Sequence, residues 1–177
     1  MLFTPVAEAR GIYIYASKEG RISFFNSPYP AHRKLTAVDV YPSRSIACSP
    51  VSGEIVFIQK FNPPRKEMFG ASSSDYIICI RVSEELVARL LHVKPEVEIG
   101  EKVKVGEKLG VLLRSGFFDF WTDPHVHVEI RKNGDFLRPL GALPLRPLIG
   151  DMKNRGVVLE GEVVCCRPEY CLSLIHI

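Results

Sequence analysis

Apolar residues along this chain fall into short runs that alternate with polar positions and end at turn-forming residues. The runs are rich in Val, Ile, Phe and Tyr and are bounded by Gly, Pro, Ser or Asn, a pattern typical of strands and turns. They predict strands over residues 12–15, 22–25, 37–41, 53–60, 76–82, 108–113, 125–131 and 157–164. We therefore expect an all-β fold built as an antiparallel β-sheet or β-sandwich.

Two local signals refine this expectation. Residues 18–20 lie between the first two predicted strands and indicate a β-hairpin. Ser83 is followed by two glutamates and by apolar residues at helical spacing through Leu91, which predicts a short helix or a turn. The expected fold thus contains at most one short helix.

The overall composition is that of a soluble globular protein. The chain has 177 residues, enough for one domain with a buried core. No segment approaches the roughly 20 consecutive apolar residues that cross a bilayer. The net charge of +3 is small and the basic residues are scattered. We therefore expect no membrane span and no nucleic-acid partner, while the oligomeric state stays open.

The N-terminal residues are a poor match to a signal peptide. Glu8 and Arg10 interrupt the first apolar run, and no basic stretch precedes it. As written, the chain is expected in the cytoplasm, whereas a full-length parent with an export signal would act outside it. The final apolar residues suggest that the C-terminal segment is truncated.

One predicted strand carries polar residues with catalytic chemistry. His125, His127 and Glu129 alternate with apolar residues, so they share one face of the strand. A His-x-His pair alone more often lies on a solvated or core-lining face. His32 with Asp39, and separately His92, lie upstream, so four of the five histidines fall in three places.

These residue types suit a zinc ion. Zinc prefers imidazole nitrogen and carboxylate oxygen, and a catalytic site uses three protein ligands while leaving a position open. His32, Asp39 and His127 would make such a set.

Four blocks, in this order, resemble the lysostaphin-type zinc endopeptidases, also called the M23 or LytM-like family. They are the segment from His32 to Asp39, residues 49–56, His92 with the Gly-rich residues 99–110, and residues 124–134, which Pro139 and Leu140 follow. The resemblance implies a β-sandwich of the duplicated hybrid motif type, with turns like those of barrel-sandwich hybrids. It also implies a peptidase domain over residues 30–145. N-terminal strands or an extension would occupy residues 1–29, and a C-terminal extension residues 146–177.

The same resemblance implies a function and a role for each residue. Asp39 and His127 match zinc ligands, and His32 would be the third. His92 and His125 match the catalytic pair, which would move protons and stabilise the oxyanion. The implied reaction is hydrolysis of a peptide bond by a metal-activated water, in a peptidoglycan cross-bridge or another glycine-rich peptide.

The first ligand departs from the family spacing. The family places this His four residues before the Asp, a position that Leu35 holds here, whereas His32 lies seven residues before Asp39. Either residues 29–34 fold so that His32 reaches the metal, or the site has only two ligands and catalysis is in doubt.

Two other functions fit parts of the sequence. A degenerate peptidase-like domain would bind a partner or a glycan without hydrolysis, which agrees with the lack of a signal peptide. The turns of residues 100–110 are also similar to those of biotinyl or lipoyl carrier domains. A carrier needs an exposed Lys on a tight hairpin between its two halves, and no Lys here has that setting.

Residues around the His-x-His strand have two readings. An aromatic group precedes it and predicts either core packing or one wall of a substrate groove. This group consists of Phe117, Phe118, Phe120 and Trp121. Glu129 and Arg131 are expected to orient the ligands from behind.

Overall fold

The computed structural model describes residues 2–25, 27–64, 70–119, 121–148, 161–167 and 170–175. The strands of the N-terminal half are β1 (Phe3–Ala9), β2 (Ile12–Ser17), β3 (Arg21–Ser23), β4 (Val38–Tyr41), β5 (Ile46–Cys48), β6 (Gly53–Phe61), β7 (Asp75–Arg81) and β8 (Leu86–Leu91). Those that follow are β9 (Val93–Pro95), β10 (Lys102–Val103), β11 (Lys108–Leu112), β12 (Val126–Lys132), β13 (Arg146–Pro147), β14 (Gly161–Arg167) and β15 (Tyr170–Ile175). Among the described residues the single helix, α1, spans Pro30–Arg33.

The described strands form four antiparallel sheets, of which one is much larger than the others. Its seven strands run in the order β10-β6-β7-β8-β12-β4-β3. Two three-stranded sheets, β13-β1-β2 and β5-β11-β9, accompany it, and β14 pairs with β15. The predicted all-β antiparallel fold with at most one short helix is therefore confirmed.

Period-two alternation sends one face of the large sheet into the main core. Val126, Val128 and Ile130 of β12 are at most 1% exposed, and Ile78 and Ile80 of β7 join them there. Buried residues of β1 and β2, among them Val6, Ala7 and Ile14, belong to the same core. Because the apolar residues of β12 point into this core, its alternate residues must point to the other face.

That other face is buried although it is polar. Asp39, His127, Glu129 and Arg131 lie on it and are between 0% and 7% exposed. Burying charged groups is unfavourable unless each is paired, so the packing of this face depends on the contacts between its polar groups. The face shared by His127 and Glu129 is the one that the alternating pattern predicts.

Of the short helix or turn predicted after Ser83, the helix is wrong and the turn is confirmed, because residues 83–85 close a hairpin between β7 and β8. Residues 83–85 turn between β7 and β8, where the Ser83 hydroxyl accepts a hydrogen bond from the Leu86 amide at 3.1 Å. β8 pairs with β7 on one side and with β12 on the other. Leu86, Ala88 and Leu90 enter the main core, so burial between two strands overrides the local helical signal.

The hairpin predicted at residues 18–20 is also wrong. The chain does turn there, with the Gly20 amide donating to the Ser17 carbonyl. However, β2 pairs with β1, whereas β3 pairs with β4 in the large sheet. The turn therefore moves the chain from one sheet to another. Of the strand predicted over residues 157–164, the first four residues lie outside the described ones, and β14 covers the rest.

Candidate metal centre and active site

Asp39 and His127 are direct partners on neighbouring strands. They face each other in the pairing of β4 with β12, so their side chains leave the sheet on the same side. Asp39 Oδ1 lies 2.9 Å from His127 Nδ1. The same oxygen lies 3.3 Å from His32 Nε2.

A helical turn brings His32 to this point despite its unusual spacing. His32 lies in α1, and the Thr36 amide donates to the Ala31 carbonyl at 2.8 Å, which closes the turn. Leu35 then adopts a left-handed backbone conformation with φ of 53° and redirects the chain into β4. The three extra residues are thus absorbed in the turn, and His32 reaches Asp39.

The far nitrogen of each ring is held by an acceptor. His32 Nδ1 lies 2.9 Å from the Phe24 carbonyl oxygen, which can only accept, so this nitrogen carries the hydrogen. His127 Nε2 lies 3.1 Å from Glu129 Oε1 and donates to it. Both rings are therefore oriented with the opposite nitrogen toward Asp39, in the way that metal-binding histidines are usually held.

The three inward atoms fit a metal ion. His32, Asp39 and His127 each offer one ligand atom, and these atoms lie within 4.8 Å of one another. Two imidazole nitrogens and one carboxylate oxygen form a donor set typical of catalytic zinc. Their outer nitrogens are already oriented by hydrogen bonds, so these residues fit zinc without rearranging the partners behind them.

The protonation of this cluster follows from its contacts. Burial by itself would raise the pKa of Asp39, but hydrogen bonds from His127 and His32 hold it far below its usual value. For His127, burial acts to lower the pKa, and the hydrogen bonds to Asp39 and Glu129 outweigh it, raising the pKa to about 9. His127 therefore holds a proton near pH 7, which a metal ion bound at its Nδ1 atom would have to displace.

Two arginines pair with Glu129, the residue that contacts His127 Nε2. Its Oε2 atom lies 2.8 Å from Arg89 Nη2 and 2.6 Å from Arg131 Nη1. Although burial acts to raise the pKa of Glu129, its contacts with His127 and these arginines lower it to about 2. Arg131, which is fully buried, also binds Asp135. Of the two residues expected to orient the site, Glu129 thus contacts His127 and Arg131 contacts Glu129.

His125 contacts the second carboxylate oxygen of Asp39, whereas His32 and His127 contact the first. Its Nε2 atom lies 3.3 Å from Asp39 Oδ2, and its Nδ1 atom donates to the Asp123 carbonyl at 2.9 Å. The ring stacks on Phe118 with centroids 4.4 Å apart. Burial lowers the pKa of His125 to about 4, so the ring is neutral near pH 7.

His92 completes the group of predicted residues. Its ring centroid lies 5.4 Å from that of His125 and 6.1 Å from that of His127. Its Nδ1 atom lies 2.6 Å from Asp75 Oδ2. The structure therefore brings all five predicted site residues together, and it adds Asp75, which the sequence did not suggest.

A pocket opens above these residues. It has a volume of about 460 Å³ and is lined by the five predicted residues together with apolar ones, including Phe117 and Phe118. Of the other aromatic residues considered for this wall, Trp121 is 62% exposed and Phe120 lies outside the described residues. Its volume is within the usual range of ligand-binding clefts, which is roughly 300 to 1,000 Å³.

The amino-acid sequence of this chain matches one protein family. Residues 13–147 match the family described as "Domain of unknown function (DUF8155) N-terminal domain". The match covers most of the chain, so the chain belongs to this family. No curated protein matches the chain.

Solved structures of peptidases are similar to this chain. The catalytic domain of the prophage-encoded M23 protein EnpA from Enterococcus faecalis matches with 23% identity and a TM-score of 0.46, covering 72% of this chain and 88% of its own. For the catalytic domain of lysostaphin from Staphylococcus simulans the values are 19%, 0.48, 71% and 88%. For a zinc-containing peptidase from Vibrio cholerae they are 18%, 0.43, 69% and 41%. Among these proteins is a member of the M23 family, which the sequence motifs resemble. At identities of 18–23%, their activity does not transfer to this chain.

In the described part of the chain, no helix has the length and apolar character that crossing a membrane requires.

Proposed function

We propose that this chain is a zinc-dependent endopeptidase that hydrolyses peptide bonds. The observation that carries the proposal is the convergence of His32 Nε2, Asp39 Oδ1 and His127 Nδ1. In this proposal, those three residues hold the metal. A purely structural cluster has no need for two rings whose outer nitrogens are both held so that their inner ones face one carboxylate oxygen.

A bound zinc ion supplies a Lewis acid that polarises a carbonyl group and lowers the pKa of a water molecule toward about 7. His125 and His92 do not share the Asp39 Oδ1 atom, so they remain available for proton transfer. His125 is neutral near pH 7 because burial lowers its pKa to about 4. In this state its Nε2 atom can accept a proton.

The pocket supports a peptide as substrate. Aromatic and proline side chains form much of its lining, together with the five predicted site residues and Glu129. An extended peptide would be desolvated against this wall while its scissile bond faces the histidines. We assign the substrate to peptides of the peptidoglycan cross-bridge type or other glycine-rich peptides, and the peptidase unit to residues 30–145.

The first test is the zinc-to-protein ratio, measured by elemental analysis. We expect about one zinc per chain, and loss of the metal in a double variant, Asp39→Ala with His127→Ala. The matched variant is His125→Ala, which should keep its zinc because this ring is not a proposed ligand. Cleavage of a fluorogenic pentaglycine peptide should be lost in both variants.

The possible outcomes separate the alternatives. A parent chain that binds no zinc after reconstitution would contradict the proposal. Zinc binding without cleavage of glycine-rich or peptidoglycan peptides would favour a degenerate domain that binds a partner or a glycan. Loss of zinc in His125→Ala would mean that the roles of His125 and His127 are exchanged.

A further inference from the structure

His92 occupies a corner of the fold with a rare backbone conformation. It lies between β8 of the large sheet and β9 of a three-stranded sheet, and its φ is 71°. A positive φ is uncommon for residues other than Gly, although Asn, Asp and His adopt it more often than most, and the surrounding contacts must stabilise it. Some contact must therefore hold His92 in place.

That contact is the carboxylate of Asp75, which binds His92 at two points. Asp75 Oδ1 accepts a hydrogen bond from the His92 backbone amide at 3.0 Å. Asp75 Oδ2 lies 2.6 Å from His92 Nδ1. One carboxylate thus fixes both the backbone and the ring of the same residue.

Asp75 is itself fully buried and held by further donors. The Ser115 hydroxyl donates to its Oδ2 at 2.6 Å, and the Tyr76 amide donates to its Oδ1 at 2.7 Å. Burial acts to raise the pKa of Asp75, but the hydrogen bonds from His92 and Ser115 keep it below its usual value. The group is therefore an anion whose hydrogen-bonding partners are all donors.

We propose that Asp75 is a positioning residue, which holds His92 in the tautomer protonated at Nδ1 and directs its Nε2 atom to the catalytic groove. The proposal rests on the proposed peptidase function. Since Nδ1 is bound by Asp75 and the ring lines the pocket, Nε2 is the nitrogen that remains for a proton of the substrate. When His92 takes up that proton, the adjacent carboxylate stabilises the imidazolium.

A contact that only stabilised the fold would not need to select a tautomer. The backbone bond from the His92 amide would suffice to hold the left-handed turn. The second bond, from the ring, gives the imidazole a fixed orientation beside His125 and against the edge of Phe118, whose centroid is 4.7 Å away. Fixing the tautomer and orientation of a histidine is the role that a buried Asp has in catalytic Asp-His pairs.

The variant that tests this is Asp75→Asn, which keeps the size of the side chain but places an amide where one oxygen accepted a proton. We expect its kcat to fall by about 10²- to 10⁴-fold with KM changed by less than about twofold. Its zinc content should equal that of the parent, because His92 is not a proposed ligand. The matched control, Glu54→Gln, makes the same chemical change at a carboxylate on β6 that pairs with Arg81, and it should keep the parent kcat.

A second measurement is independent of substrate. Long-range ¹⁵N–¹H NMR of the zinc-loaded parent reports the tautomer of each of the five histidines, with His92→Gln assigning the signal. We expect His92 to be protonated at Nδ1 in the parent and in Glu54→Gln, and to lose this preference in Asp75→Asn. A parent His92 protonated at Nε2 would overturn the proposal even if Asp75→Asn did not fold.

The two proposals fail in different ways. If the tautomer changes in Asp75→Asn but kcat does not, Asp75 is no positioning residue, although the chain is still a peptidase. If the tautomer behaves as expected but the parent cleaves no peptide, the hydrogen bonds of Asp75 stand as described while the catalytic role, and the proposed function, are overturned.

Discussion

Asp39 is charged in a place where burial alone would favour its neutral form. It is 1% exposed, and three histidine nitrogens lie within 3.3 Å of its two oxygens. The His127 ring, whose pKa is raised to about 9, carries a positive charge near pH 7 that offsets the negative charge of Asp39. At the scale of single residues, a proton on His127 and the proposed zinc ion would therefore compete for the same Nδ1 atom.

This competition predicts that zinc affinity depends on pH. The pKa of His127 is raised from 6.5 to about 9, so between pH 6 and 8 this ring must release a proton for zinc to bind its Nδ1 atom. Asp39 and Glu129, with lowered pKa values, and His125, at about 4, do not titrate there. The association constant should rise about tenfold per pH unit and level off above pH 9.

Calorimetry in buffers of different ionisation enthalpy would measure the released proton, with Glu54→Gln as the control. Release of none would show that His127 is neutral before zinc binds. The sign for the metal-free fold is the reverse. A raised pKa stabilises the folded state fully below pH 6.5, and this contribution is lost as pH rises through about 9.

The sequence could identify the residues of the site but only some of the groups that orient them, such as Glu129 beside His127. His32, Asp39, His92, His125 and His127 were predicted from motif order, and they meet in one pocket. The Phe24 carbonyl that orients His32 could not be foreseen, because backbone groups carry no sequence signal. The place of Asp75 beside His92 could have been predicted from the pairing of two strands. The pairing of β7 with β8 brings it next to His92, but this register follows only if residues 83–85 are a turn.

At the scale of elements, His92 depends on how closely β9 and β11 approach each other. Gly110 of β11 faces Pro95 of β9, and a Cβ atom built on Gly110 would overlap the Lys94 carbonyl oxygen. The Leu113 amide, just past β11, donates to the His92 carbonyl at 2.9 Å. The backbone spacing of these two strands therefore determines where the corner at His92 lies.

Gly110→Ala should destabilise the fold for this reason. The new methyl group has backbone atoms as its nearest neighbours, so the strands must separate, at a cost of about 1–3 kcal/mol of unfolding free energy. Urea denaturation followed by circular dichroism would measure it. Gly70→Ala is the matched control, because no atom of the described residues lies within 4 Å of a Cβ there, and it should change stability by less than about 0.5 kcal/mol. Equal stability of the two variants would contradict the tight approach.

At the scale of elements, β12 and β8 show why one strand was predicted from the sequence and another was not. β12 alternates between core residues and polar ones, so its strand was evident from the sequence. β8 is buried on both sides, and its near-continuous apolar run carries no period-two signal. The helical spacing of its apolar residues therefore led to the prediction of a short helix or a turn after Ser83 instead of a strand. Short strands such as β10 and β13, each of two residues, are defined by their partners alone.

At the scale of the whole molecule, the proposed ligands tie together parts of the chain that are far apart. His127 lies 88 residues from Asp39, and the two meet because β12 and β4 are neighbours inside the large sheet. His32 comes from a turn outside that sheet, held by the Phe24 carbonyl. An unfolded chain does not assemble these atoms, so the proposed zinc ion would bind the folded state preferentially.

Zinc should therefore raise the melting temperature of the metal-depleted protein. At a free zinc concentration of about 100 times Kd, the gain is about 2.7 kcal/mol, which corresponds to about 5–10 °C for a domain of this size. Scanning calorimetry against zinc concentration would measure the shift. Asp39→Ala should show almost none, whereas Glu54→Gln should match the parent. An equal shift in Asp39→Ala would place the stabilising metal elsewhere on the chain, and the convergence of His32, Asp39 and His127 would then not be the reason for it.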